Sequence, residues 1–167
     1  MGFVGSTGNP IGRRLKPSLP LALTMGDPSG IGPEIAIEAW RRRSTHEVPA
    51  FYLLGDPALV EARARSVGEP VDVAVTTPGE ALRVFDEALP LVPLAASFRD
   101  TPGRPDTANA AGVIEAIERA VADVTVGAAA ALVTCPIAKK PLYDAGFAHP
   151  GHTEFLGHLA GGARPVM

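Results

Sequence analysis

A second cysteine is missing from this chain, and Cys135 alone cannot form an internal disulfide. A reducing compartment is the natural reading, so the expected location is cytoplasmic. Thiol chemistry would need a nearby base. After an apolar strand, a small buried residue is the plainer reading of Cys135. No apolar run is long enough to span a bilayer, and no membrane partner is expected. The first residues also lack the apolar core of a secretory signal. An excess of positive charge is absent: 15 Lys and Arg stand against 18 Asp and Glu, a net charge of −3. A surface that tracks phosphate backbones needs the opposite balance, which argues against nucleic acid. The run Arg41-Arg42-Arg43 is short and reads as the last turn of a helix, where positive charge complements the dipole. Metal-ligand spacing is missing as well. His152 and His158 are six positions apart, off a common helical face, and His46 is remote, so no metal site is expected within this chain.

What is present suits one soluble domain. The chain has 167 residues, 46% of them apolar and 20% charged. Strand and helix signals alternate. Strands are predicted at 21–24, 50–54, 71–75 and 129–134, with a short edge strand at 91–94, because proline removes a ladder donor. Helices are predicted at 33–43, 57–66 and 79–88. The clearest begins after Thr107 or Asn109, either of which could cap it, and carries the stripe Val113, Ile114, Ile117, Val121, Val124. A short helix at 140–144 stops at Gly146, and a last one starts near His152. This alternation implies an α/β fold with a mostly parallel sheet flanked by helices. Residues 1–18 read as a flexible N-terminal extension. Residues 19–167 read as the N-terminal portion of a longer α/β protein, with Arg164 to Met167 opening another strand.

Three features carry chemistry. Gly26, Gly30 and Gly32 form a loop between the first strand and the first helix, with Asp27 inside it. Such a loop can present backbone amides to an anion, or it can simply be a tight turn capped by Asp27 or Ser29. Its G-x-x-x-G-x-G spacing is neither the dinucleotide fingerprint nor a Walker loop, so spacing alone points to neither NAD nor ATP. Glu34, in the first helical turn, reads as a complement to the dipole. Lys139 reads as the C-terminal end of the alanine-rich strand, outside which open parallel sheets bind ligands, and could neutralise a phosphate or carboxylate or move a proton. Its neighbour Lys140 reads as solvated. His152 and Thr153 open a helix after Pro150-Gly151. There an imidazole and a hydroxyl can donate to a ligand oxygen, or the histidine can serve as a cap.

The segments Thr24-Met25-Gly26-Asp27-Pro28-Ser29-Gly30-Ile31-Gly32-Pro33-Glu34, Pro102-Gly103-x-Pro105-Asp106-x-Ala108-Asn109-Ala110 and Thr134-x-Pro136-Ile137-x-Lys139 … Ala145-Gly146 … Gly151-His152-Thr153-Glu154 resemble one family in order and spacing. It is the 4-hydroxythreonine-4-phosphate dehydrogenases, the PdxA family of vitamin B6 biosynthesis. The resemblance implies an isocitrate/isopropylmalate dehydrogenase-like two-lobed fold, here only its N-terminal part, and a homodimer when full length. It implies NAD-dependent (or NADP-dependent) oxidation and decarboxylation of 4-phosphooxy-threonine to 3-amino-2-oxopropyl phosphate, assisted by a divalent metal such as Zn, Mg, Mn or Co. It makes His152 and Thr153 substrate-binding residues and Lys139 a catalytic candidate. The family's metal-binding histidines, and a further substrate-binding lysine, asparagine and arginine, lie beyond the stretch matched here, so this piece by itself is expected to be inactive. Residues 1–18 have no counterpart in the family pattern. The motifs leave open a relative acting on four-carbon sugar-acid phosphates such as threonate or erythronate 4-phosphate. A phosphate acyltransferase of related fold and a non-catalytic fragment also stay open.

Overall fold

A computed structural model describes residues 19–68 and 70–162. The predicted N-terminal extension and the strand predicted from Arg164 lie outside the described residues. Five strands, β1 (Leu21–Thr24), β2 (Phe51–Gly55), β3 (Val73–Val75), β4 (Leu89–Pro93) and β5 (Leu132–Thr134), form one sheet in the order β3-β4-β2-β1-β5. All four pairings are parallel, as the alternation predicts. The helices are α1 (Gly32–Arg41), α2 (Pro57–Ser66), α3 (Ala81–Val84), α4 (Ala110–Thr125), α5 (Lys139–Asp144) and α6 (His152–Leu159).

Both faces of the sheet are covered. Leu23, Met25, Phe51, Leu53, Leu89 and Leu91 point to one face and meet Ala36, Ile37 and Trp40 of α1 and Leu59, Val60 and Ala64 of α2. Ala22, Tyr52, Leu54 and Val92 point to the other and meet Ala116 and Ala120 of α4. Strands buried on both faces explain why β2 reads as an unbroken apolar run instead of an alternating one. The side chain of Asp56 caps α2 by accepting the amides of Ala58 and Leu59, and Pro57 takes the first turn, where its missing N–H costs nothing.

Several expectations are corrected. The proline-containing strand is not at an edge: β4 lies between β3 and β2. The amide of Leu89 donates to Asp72 toward β3, and that of Leu94 donates to Gly55 toward β2. By alternation, the nitrogen of Pro90 faces β2 before the register opens at Leu53 and Leu91. That of Pro93 faces β3 beyond its last bond, from Thr76 to Leu91. Pro93 removes no ladder bond, while Pro90 offers no amide to β2 and the pairing of β2 with β4 starts just after it. The strand predicted at 129–134 is three residues long and forms an edge, with Val133 45% exposed. On α2 the buried face carries Arg63 beside Leu59, Val60 and Ala64. On α4, Val113 and Ile117 of the expected stripe are buried, while Ile114, Val121 and Val124 are only partly so; small residues complete the buried side, with Gly112 against the ring of Phe98, where a Cβ would collide. Neither predicted cap acts on α4. Asp106 caps the 107–109 turn, while Asn109 clamps the backbone of Arg99 through both ends of its amide.

Candidate functional site

From β1 the chain moves to β2 on one side, and after α4 it enters β5 on the other. The switch point of the sheet therefore lies between β1 and β5, beside which open parallel sheets bind their ligands. The loops leaving these two strands are stitched together. The amide of Cys135 donates to Thr24 at 3.2 Å and that of Asp27 to Pro136 at 3.0 Å. Gly26 has a φ of 74°, and a Cβ on it would run into the carbonyl of Pro136. A Cβ on Gly32 would strike the carbonyl of Met25 and come within 3.1 Å of the Cys135 side chain. These two glycines permit close passage of backbones.

The rest of the glycine loop is bonded inward. Asp27 is buried, and its carboxylate accepts the amide of Ser29 at 2.7 Å. Gly30 donates its amide to Asp27, and the amide of Met25 goes to Leu54. Sequence reasoning missed what anchors this loop. Arg63 of α2 is 2% exposed and donates to the carbonyls of Pro28 and Gly30, to Glu34 at 2.6 Å and to Asp100. Burial works against its charge, but the bonds to Asp100 and Glu34 outweigh it and hold the guanidinium above its ordinary value. Gly103 adds an amide bond to Ser29. Glu34 is thus an ion-pair partner as well as a first-turn acid. The missed signal was spacing: Arg63 sits between Val60 and Ala64 on the apolar face of α2.

Beyond Pro136 the chain turns outward. Lys139 is not at the strand end but opens α5, five residues past β5. α5 is followed by Gly146 at a φ of 91°. The return loop packs on α6 through rings. Phe155 is buried and meets Phe147 edge-on at 5.0 Å, and His149 stacks on Phe155 at 4.9 Å and on His158 at 5.0 Å. This ring cluster fixes the first turn of α6, which carries His152 and Thr153. The Nε2 atom of His152 is buried and has no hydrogen-bond partner. Burial first, and then the charge of Lys139, push the imidazole below its ordinary pKa. A Cβ placed on buried Gly151 would lie 3.6 Å from the Lys139 Nζ and 3.2 Å from the Glu154 Oε2, so both side chains converge on this position.

The structure therefore brings Lys139, Gly151, His152, Thr153 and Glu154 to one corner, of which Glu154 was not a sequence candidate. Gly26, Asp27, Gly30 and Gly32 form a separate feature, joined to that corner through Pro136. A shallow concavity of about 460 Å³ lies elsewhere, on the outer face of α1, lined by Ile31, Ile35, Ala39 and Val48. Its rim also carries Glu34, Glu38, Arg42 and His46, but Arg42 is paired with Glu38 and the two carboxylates disfavour an anion, so the chemistry points to the His152 corner instead. Among the described residues no group of three or more His, Cys, Asp or Glu could hold a metal ion. These residues do not fit the divalent ion that the resemblance implies. Nor does the glycine loop fit a dinucleotide, since the amides of Met25, Asp27, Ser29 and Gly30 are already bonded. Among the described residues no helix is long and apolar enough to cross a membrane.

Comparison with known proteins agrees with the fold. The chain is 57% identical over 143 residues to the 4-hydroxythreonine-4-phosphate dehydrogenase of Methylorubrum populi, covering 84% of this chain and 41% of that protein. The crystal structure of a 4-hydroxythreonine-4-phosphate dehydrogenase from Burkholderia phymatum superposes with a TM-score of 0.74 at 27% identity, covering 86% of this chain and 44% of the other. The enzyme of the same name from Klebsiella pneumoniae gives 0.72 at 31% identity, covering 85% and 44%. The chain thus spans about two fifths of the length of the curated relatives it matches. The family described as "Pyridoxal phosphate biosynthetic protein PdxA" matches residues 47–167, and the chain belongs to that family.

Proposed function

We propose that the chain supplies the substrate-gripping part of a dehydrogenase that oxidises a phosphorylated hydroxy acid, 4-hydroxythreonine 4-phosphate, in pyridoxal phosphate biosynthesis. The observation that carries this reading is the buried, unpartnered Nε2 of His152, set next to a bare glycine and an ammonium group. A buried imidazole nitrogen without a protein partner has the full cost of desolvation and no return, unless a ligand completes its hydrogen bond. Thr153 adds a hydroxyl in the same turn. The neutral imidazole favoured by burial can donate to a substrate oxygen without placing a second full charge beside Lys139. Alcohol oxidation gives a β-keto acid, which loses carbon dioxide to give 3-amino-2-oxopropyl phosphate. The described residues offer no cradle for a nicotinamide cofactor or for a divalent metal, so their part is to bind and orient the acid. Homodimer formation and a cytoplasmic location, which suits a lone buried thiol, belong to the same proposal.

A chimera tests it. Residues 21–162 replace the matching segment of the Methylorubrum populi relative, and reduction of NAD is followed with 4-hydroxythreonine 4-phosphate. The expected outcome is substrate-dependent NADH formation, with His152→Ala lowering kcat/KM by about 10²–10³. A folded chimera that shows no such activity overturns the reading, and activity indifferent to His152 removes the role given to that residue.

A further inference from the structure

We propose that Lys139 is the second donor of this corner: its ammonium and the His152 Nε2–H hold one and the same anionic oxygen group of the ligand, across the bare Cα of Gly151. The proposal deepens the reading above and takes from it only that the ligand is acidic.

Two adjacent lysines are used differently, and this is the first support. Lys140 forms an i,i+4 ion pair with Asp144 at 2.6 Å on the exposed side of α5. Lys139 makes no ion pair among the described residues, and its Nζ reaches toward Gly151, where a Cβ would lie 3.6 Å away. The second support is the residue at that point. Any side chain on Gly151 would begin between Lys139 and Glu154 and crowd both side chains. The third is the division of labour. Burial, and after it the charge of Lys139, lowers the affinity of the imidazole for a proton, so the lysine brings the charge and the imidazole brings direction. The other ionisable groups nearby are Glu154, whose Oε2 faces the same gap, and His149 and His158, which stack on each other. A carboxylate and a phosphate present the same chemistry here, an anionic oxygen able to accept two donors.

The test uses the ¹⁵N-labelled 167-residue chain, with the His152 ring signals assigned through His152→Gln. Inorganic phosphate and 3-hydroxybutyrate, a carboxylate without phosphate, are titrated separately. At least one should shift the His152 ring saturably, and the one that does identifies the group held. Lys139→Met should weaken that binding at least tenfold, Lys139→Arg should restore part of it, and the His152 titration midpoint should rise in Lys139→Met. Equal affinity in Lys139→Met, an unmoved midpoint, or shifts confined to His149 and His158 would overturn the proposal, as would a His152 ring indifferent to both anions. Failure here is separable from failure of the dehydrogenase reading. An active chimera whose kcat/KM ignores Lys139→Met removes this grip alone. An inactive chimera with Lys139-dependent anion binding removes the dehydrogenase and leaves the grip.

Discussion

Gly26 and Pro136 interlock: the carbonyl of Pro136 lies where the Cβ of any other residue at 26 would be, and it accepts the neighbouring amide of Asp27 at 3.0 Å. The loops leaving β1 and β5 are thereby one unit, and the path to Lys139 starts from it. Gly26→Ala would add left-handed strain of roughly 1–2 kcal/mol and overlap worth roughly another 1–3 kcal/mol. Urea unfolding should show a loss on the order of 3 kcal/mol. Gly30→Ala is the control. Its Cβ would meet only the Asp27 carbonyl, at 3.3 Å, without positive φ, and should cost far less. Equal effects at the two positions would show that the close approach does not matter.

Arg63 gathers Glu34, Asp100 and two loop carbonyls. Removing one member of a buried ion pair is more damaging than replacing the whole pair, because the partners stay behind unpaired. Both carboxylates keep about a third of their surface, 31% and 32%, so the penalty should fall at the low end, about 3 kcal/mol for Arg63→Met. The triple change Arg63→Met, Glu34→Gln, Asp100→Asn should recover part of that loss. A single variant as stable as the parent in urea would mean that the hub contributes nothing net.

Tyr52 is fully buried in the centre of the sheet, and its hydroxyl donates to Asp123 of α4 at 2.8 Å. Burial, and after it the hydrogen bond to that carboxylate, hold the phenol well above its usual range, so it stays neutral at all working pH values. Asp123 also receives the guanidinium of Arg119 at 3.0 Å. Tyr52→Phe should destabilise by about 1–2 kcal/mol, since one carboxylate oxygen loses its donor. A double-mutant cycle with Asp123→Asn should return most of that as coupling. Additive single effects would show the two residues act independently.

Much of the sheet was legible because two-sided burial writes itself as apolar runs: Leu21 to Thr24 and Phe51 to Leu54 need no tertiary information. Asp56 and Pro57 announce α2 for the same local reason. The position of β4 was not legible. Its prolines look like edge signals until the register shows that they sit at the two ends of its pairing, Pro90 before the β2 register opens and Pro93 beyond the last β3 bond. Arg63 was hidden because a helical pattern marks charged residues as exposed, and only its carbonyl and carboxylate neighbours, from segments remote in sequence, justify burying it. In the candidate site His152, Thr153 and Lys139 could be picked out by residue type. The glycine loop could not be read, because a ligand cradle and a packing turn use the same residues. The bonds to Pro136 and Arg63 exist only in three dimensions.

Cys135 should behave as a structural thiol. It is 4% exposed, and burial pushes its pKa up to about 11. The thiolate is the reactive form, so at pH 8 iodoacetamide should label the native chain far more slowly than the urea-unfolded one. Labelling of the native chain at the unfolded rate would mean that the β1 and β5 loops separate readily, and the interlock at Gly26 would then be loose as well.

The stability of the chain should carry a trace of His152 on the acid side. Its folded pKa lies below the unfolded value, mainly through burial and then through Lys139. Above the unfolded value, near pH 6.5, the ring is neutral in both states and adds no pH dependence. As the pH falls below that point the unfolded chain takes up a proton that the folded chain refuses, so stability declines until the folded pKa is passed. Replacing the ring by glutamine, which cannot charge, should flatten that part of the profile. Lys139→Met should flatten it only in part, because desolvation remains the larger cause. Melting curves from pH 8 to pH 5 read this directly. A His152→Gln chain with the acid slope of the parent would place the imidazole in solvent, where it could not be a buried donor waiting for an acid.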